Sequence, residues 1–162
     1  MQIVRVNRNQ VQTLGPLGAL PHLVSVEATH NELEEVLDIS PKALNLRSAD
    51  LSFNRISKLR GTLEGYSNLT SLKLDGNMLQ SVAGIQCLSY LEVLSIRNNQ
   101  LFTCDGLREL KSLRQLNVSG NDLGDLGDLS ALSRLEVLRA RRGPRQRHGG
   151  ARNRPPRDQI RG

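Results

Sequence analysis

Apolar residues recur along this chain in a fixed figure around six asparagines: Asn9, Asn31, Asn54, Asn77, Asn99 and Asn121, spaced 22, 23, 23, 22 and 22 residues apart. Each has an apolar residue eight, five and three places before it and two places after it. The last three copies are the most regular. Leu69, Leu72, Leu74 and Leu79 surround Asn77; Leu91, Leu94, Ile96 and Leu101 surround Asn99; Leu113, Leu116, Val118 and Leu123 surround Asn121. The first three are looser, with Met1, Val4, Val6 and Val11 around Asn9, for example. The alternation at minus five and minus three predicts a short strand with one face buried. A period in this range predicts stacked units that share one core.

The asparagines explain how the chain leaves each strand. A sharp turn there strands backbone donors and acceptors away from water. An Asn side chain offers both a carbonyl and an NH2, so one residue answers both needs, and stacked copies form a ladder. Ser52-Phe53-Asn54, Asp75-Gly76-Asn77 and Ser119-Gly120-Asn121 are turn sequences, and a mid-helix glycine would cost about 1 kcal/mol. Further apolar residues fall five, eight and eleven places after the asparagine: Val82, Ile85 and Leu88, then Cys104, Leu107 and Leu110, then Leu126, Leu129 and Leu132. Spacing by three predicts a short 3₁₀ or α turn on the far side. Copies two and three are 23 residues long and break this series, with Pro41 in the first and Thr62 and Gly65 in the second. An irregular far side is expected there.

The pattern L-x-x-L-x-L-x-x-N-x-L resembles the leucine-rich repeat, in its short, 22-residue class, whose type member is a regulatory subunit of protein phosphatase 1. The resemblance covers residues 1–140 and is strongest from Leu69 to Leu138. It implies an α/β solenoid: a horseshoe with a parallel concave sheet and short 3₁₀, α or irregular turns on the convex side. Leu20 to Val24 and Asp50 to Ile56 are also similar to repeats of ciliary and sperm-tail proteins. These include the leucine-rich repeat and guanylate kinase domain protein and a radial-spoke leucine-rich repeat protein. The kinase-like domain of the former has no counterpart here, so no nucleotide-kinase activity is expected.

Charge divides the chain. Residues 139–162 hold nine arginines and one acid for a net +8, against +6 overall, which leaves residues 1–138 at −2. The expected organisation is a repeat domain over 1–140, of six copies and a partial seventh, and a disordered arginine-rich tail over 141–162. Too few apolar residues stand in the tail for it to fold alone. The next ladder asparagine is due at Gly143, so the array reads as interrupted, as in a fragment or a shortened isoform. The tail also raises an alternative function, binding to nucleic acid.

On each strand the residues six, four and two places before the asparagine face away from the leucines and line the concave surface. Glu27, Asp50 and Asp75 form an acidic band there, meeting Lys73 and Arg97, with Phe53 one place before its asparagine. These six are the candidate partner-binding residues. Arg5, Arg139 and Arg141 share the same face.

Other chemistry is sparse. His22, His30 and His148 lack a catalytic companion at a recognised spacing, and no P-loop or metal-ligand spacing occurs. No enzyme, cofactor, metal or small-molecule substrate is therefore expected. There is no apolar run long enough to span a membrane, and Met1 to Gln10 belongs to the first copy rather than to a signal peptide. Cys87 and Cys104 read as small core or near-core residues in a reducing compartment. The expectation is a cytoplasmic scaffold for another protein, in a cilium, cytoskeletal assembly or phosphatase complex.

Overall fold

The alternating apolar pairs emerge as seven short strands. In the computed structural model, which describes residues 1–59 and 63–141, these are β1 (Gln2–Arg5), β2 (Leu23–Glu27), β3 (Ser48–Asp50), β4 (Ser71–Lys73), β5 (Val93–Ser95), β6 (Gln115–Asn117) and β7 (Val137–Arg139). They form one parallel sheet in chain order. Equivalent residues pair: Val26 with Ala49, Ala49 with Leu72, then Leu94, Leu116 and Leu138 in succession. A slip of register by one residue would turn the leucines to solvent. From β2 to β6 the inward residues are almost wholly buried and form one continuous core. Each buried leucine contributes about 1.5–3 kcal/mol.

Behind the sheet, the three-residue spacing becomes 3₁₀ turns at Gly15–Ala19, Ile85–Cys87 and Leu107–Glu109. The latter two begin on Gly84 and Gly106, with φ of 104° and 97°, a conformation open to glycine and costly to other residues. Among the described residues no turn is α-helical. Copies two and three carry no helical turn among the described residues, as their 23-residue length suggested, and neither does copy six, where the spacing of Leu126, Leu129 and Leu132 led one to be expected.

In copy three the apolar series is not lost but resumes one residue later than the count from Asn54. Thr62 lies outside the described residues, and Gly65 is exposed. Leu63 and Tyr66 fill the core instead. The Tyr66 N–H donates to the Leu63 carbonyl (3.2 Å) and the Leu69 N–H to that of Tyr66 (2.9 Å). In copy four the Leu88 N–H donates to Ile85 (3.0 Å) and the Leu91 N–H to Leu88 (3.1 Å). Copy three therefore keeps these two hydrogen bonds after one extra residue, though not the 3₁₀ turn of copy four.

The ladder has the connectivity its chemistry requires. Each Oδ1 of Asn31, Asn54, Asn77, Asn99 and Asn121 accepts the N–H of the apolar residue that follows the preceding asparagine by two: Val11, Leu33, Ile56, Leu79 and Leu101, at 3.0–3.1 Å. Each Nδ2 donates backwards to the preceding strand's exit, at the carbonyls of Val6, Ala28, Leu51, Leu74 and Ile96. Asn9 differs. It is exposed, and its Nδ2 reaches only its own copy, at Val6 and Asn7. Gly143 and the tail beyond Arg141 lie outside the described residues.

Candidate functional site

Because the sheet is in register, concave side chains stack in rows across the strands. One row runs Arg5, Glu27, Asp50, Lys73, Ser95, Asn117 and Arg139. Adjacent members stand one strand spacing apart, about 4.8 Å, close enough for opposite charges to meet. The Arg5 Nε donates to Glu27 Oε1 at 3.1 Å, and Lys73 Nζ lies 3.6 Å from Asp50 Oδ2. All four side chains are partly exposed, so each pair is worth at most about 1 kcal/mol.

Asp75 has a different job from the one its charge suggests. Its Oδ1 accepts from the Ser95 hydroxyl at 2.6 Å and from the Arg97 backbone N–H at 2.8 Å. It thus ties two strands together. The Arg97 guanidinium makes no ion pair among the described residues and is exposed. The acidic band is therefore contiguous in space but largely occupied: two of its carboxylates face cations and the third is held by hydrogen bonds.

Phe53 stands at the rim, where the chain leaves β3, with φ of 60° and 47% of its surface exposed. Its ring stacks on that of His30, with centroids 4.4 Å apart and planes 22° from parallel. On its other side lies Gly76, where a Cβ would come within 2.6 Å of the Phe53 ring. The platform thus exists because glycine occupies the next copy. His30 was missed as a site residue. The available signal was its place one residue before Asn31, which stacks it one copy from Phe53.

Other features offer little chemistry. Among the described residues no group of three or more His, Cys, Asp or Glu side chains is arranged to hold a metal ion. No described helix is long and apolar enough to cross a membrane. His22 is exposed beside an open polar depression of about 400 Å³ lined also by Met1, Asn45, Arg47 and Asn68; His148 lies outside the described residues. Cys104 is buried and Cys87 half-buried, and both are free thiols. Burial pushes the Cys104 thiol up to about 11, with Asp105 and Asp125 adding to the effect, and burial likewise raises that of Cys87. Neither is an activated nucleophile.

The repeat geometry, the asparagine ladder and the in-register sheet decide the class. The chain is a leucine-rich repeat protein. The family described as Leucine Rich repeat matches residues 109–127. The repeats are similar to Leucine-rich repeat-containing protein 23 of Bos taurus, 37% identical over 76% of this chain and 49% of that protein. They are also similar to the Protein phosphatase 1 regulatory inhibitor subunit PPP1R7 homolog of Arabidopsis thaliana, 30% identical over 72% of this chain and 35% of that one. The chain thus spans half or less of the length of these relatives. In fold it matches the functional domain of InlJ from Listeria monocytogenes, with a TM-score of 0.70 at 23% identity, over 85% of this chain and 29% of that one.

Proposed function

We propose that this leucine-rich repeat chain is a non-catalytic scaffold whose concave face, from Glu27 to Arg97, docks another protein. One observation carries the reading: seven in-register strands hold polar side chains in rigid rows, with the exposed Phe53–His30 platform at their rim. Aromatic and arginine side chains on a rigid support are the usual anchors of protein interfaces. Residues 1–140 form the docking unit, and residues 141–162 a separate basic tail. A phosphatase-regulatory complex is one setting, supported by the relative named as a phosphatase regulatory inhibitor subunit. A ciliary or axonemal assembly is the other, supported by the resemblance of the early copies to repeats of ciliary proteins. The free thiols fit a cytoplasmic location.

Affinity capture with mass spectrometry tests the reading. Glu27→Lys with Asp50→Lys, and separately Phe53→Ala, are expected to lower recovery of a partner captured by the unaltered chain at least roughly tenfold. Unchanged recovery with both would remove this face from the interface. Loss only on deletion of residues 141–162 would favour the basic tail and a nucleic-acid role.

A further inference from the structure

Among the described residues the concave face carries five cations, Arg5, Lys73, Arg97, Arg139 and Arg141, and they fall into two groups. Arg5 meets Glu27 and Lys73 meets Asp50, each one copy away in the stack. Arg97, Arg139 and Arg141 are exposed on the concave side and have no acidic partner among the described residues. Their neighbours across the strands explain why. Arg139 pairs in register with Asn117. Ser119 stands between Arg97 and Arg141, accepting the Arg141 backbone N–H through its hydroxyl at 3.2 Å. The one nearby carboxylate, Asp75, is already held by Ser95 and by the Arg97 backbone.

The concave face is therefore polar along its length in the electrical sense. Its first half, Arg5 to Asp75, balances near neutral through ion pairs. Its last three strands carry three free guanidinium groups and no acid. Arg97 and Arg141 stand two strand spacings apart, about 9.6 Å, with Arg139 two residues before Arg141 at the end of β7. Gln115, Asn117 and Ser119 add hydrogen-bonding groups, and the half-buried Val93 and Val137 add an apolar margin.

We infer that the end of the concave face formed by β5–β7 binds an acidic peptide segment of the partner protein, with Arg97, Arg139 and Arg141 receiving its carboxylates. The inference rests on the interaction role proposed above and names the chemistry of the partner. A guanidinium presents a planar fork of donors that matches a carboxylate in two parallel hydrogen bonds. A peptide fits better than a nucleic acid for two reasons. No concave residue of β5–β7 is aromatic, so bases find no stacking surface. The near-neutral first half of the face, where Arg5 and Lys73 are already paired, also gives a long uniform polyanion no continuing track of cations.

The test uses the full chain and a short fluorescein-labelled peptide alternating glutamate with serine, followed by fluorescence anisotropy. Arg97→Glu and Arg139→Glu are each expected to weaken binding roughly tenfold or more, and Arg97→Ala less. Lys58→Glu makes the same charge change at an exposed site on another face, and is expected to change affinity less than about twofold. Equal losses from Lys58→Glu and Arg97→Glu would assign the binding to bulk charge and overturn the inference, as would no binding by the unaltered chain. An oligothymidine that binds more tightly than the peptide, with the same sensitivity to Arg97→Glu, would replace the peptide by nucleic acid. Intact peptide binding in the arginine variants, alongside partner capture lost in Phe53→Ala, would leave the scaffold role standing and remove only the acidic partner.

Discussion

The ladder asparagines are not equivalent, because each serves the copy before it as well as its own. Asn99 accepts the Leu79 N–H at 3.0 Å and donates to the carbonyls of Leu74 and Ile96. Replacing it by alanine leaves the buried Leu79 N–H without its acceptor, at about 1–3 kcal/mol, while the Leu74 and Ile96 carbonyls keep the side-chain amides of Asn77 and Asn121. Asn9 has only its own carbonyls to serve and is exposed. Asn99→Ala is expected to cost about 2 kcal/mol or more in urea unfolding, and Asn9→Ala within about 0.5 kcal/mol. Equal costs would mean that the ladder acts through helix or strand propensity rather than through these bonds. The asparagines were legible because their spacing and chemistry both appear in the sequence. The residue before each was not. Arg8, His30, Phe53, Gly76, Asn98 and Gly120 all adopt positive φ, between 53° and 75°. Only the two glycines and Asn98 are residues that favour it. Bonds from the neighbouring strand hold the others there, such as the His30 N–H to Ser52 at 3.0 Å. That backbone setting aims His30 and Phe53 out at the rim.

At the scale of the turn, copy three shows how a repeat absorbs an extra residue. Its core position opposite Leu88 is filled by Tyr66, which is fully buried and donates its hydroxyl to the Leu37 carbonyl at 3.1 Å. Burial raises the phenol to about 12, with Asp38 adding to the shift. The sign follows directly. An acid whose folded value stands above its unfolded value of about 10 stabilises the fold fully below pH 10, and that contribution is lost as pH rises toward 12. Tyr66→Phe is expected to cost about 0.5–1.5 kcal/mol at neutral pH, for the lost hydrogen bond. It should also flatten the fall in stability between pH 10 and 12, measured by thermal unfolding. A variant that keeps the full alkaline fall would show that Tyr66 is not its source. A count from the asparagine finds Thr62 and Gly65 where apolar residues are due and so reads the series as broken, because counting assumes that every turn has equal length. The extra residue is absorbed before Leu63, and only the hydrogen bonds at Tyr66 and Leu69 show that the pattern is kept from there on. The concave residues were legible from strand alternation. Their pairing was not: whether a carboxylate is spent on a cation, as Asp50 is, or on backbone, as Asp75 is, depends on side-chain reach across strands.

Across the whole molecule each copy touches only its neighbours, so stability is set by position in the stack as much as by local bonding. The hydrogen bonds make this separable. The Leu74 N–H donates to Ser95 at 2.8 Å and Ile96 to Asn117 at 2.9 Å; toward the two ends of the described sheet, Val6 donates to Glu27 and Val118 to Arg139, each at 2.8 Å. Bond length alone predicts equal protection. The core does not: Leu94 is 1% exposed, whereas Leu138, at the equivalent place on β7, is 43% exposed, and Val4 and Val6 on the first copy are only half-buried. Opening β1 or β7 breaks one interface, while opening β4 or β5 breaks two. Hydrogen exchange is therefore expected to be slowest at Leu74 and Ile96 and faster at Val6 and Val118, grading outward from the middle of the sheet. Substitution of Leu94 by alanine should then speed exchange at Leu74 and Ile96 more than at Val6. Uniform protection from Val6 to Val118 would show instead that the copies open together, with the continuous core enforcing one transition along the full stack.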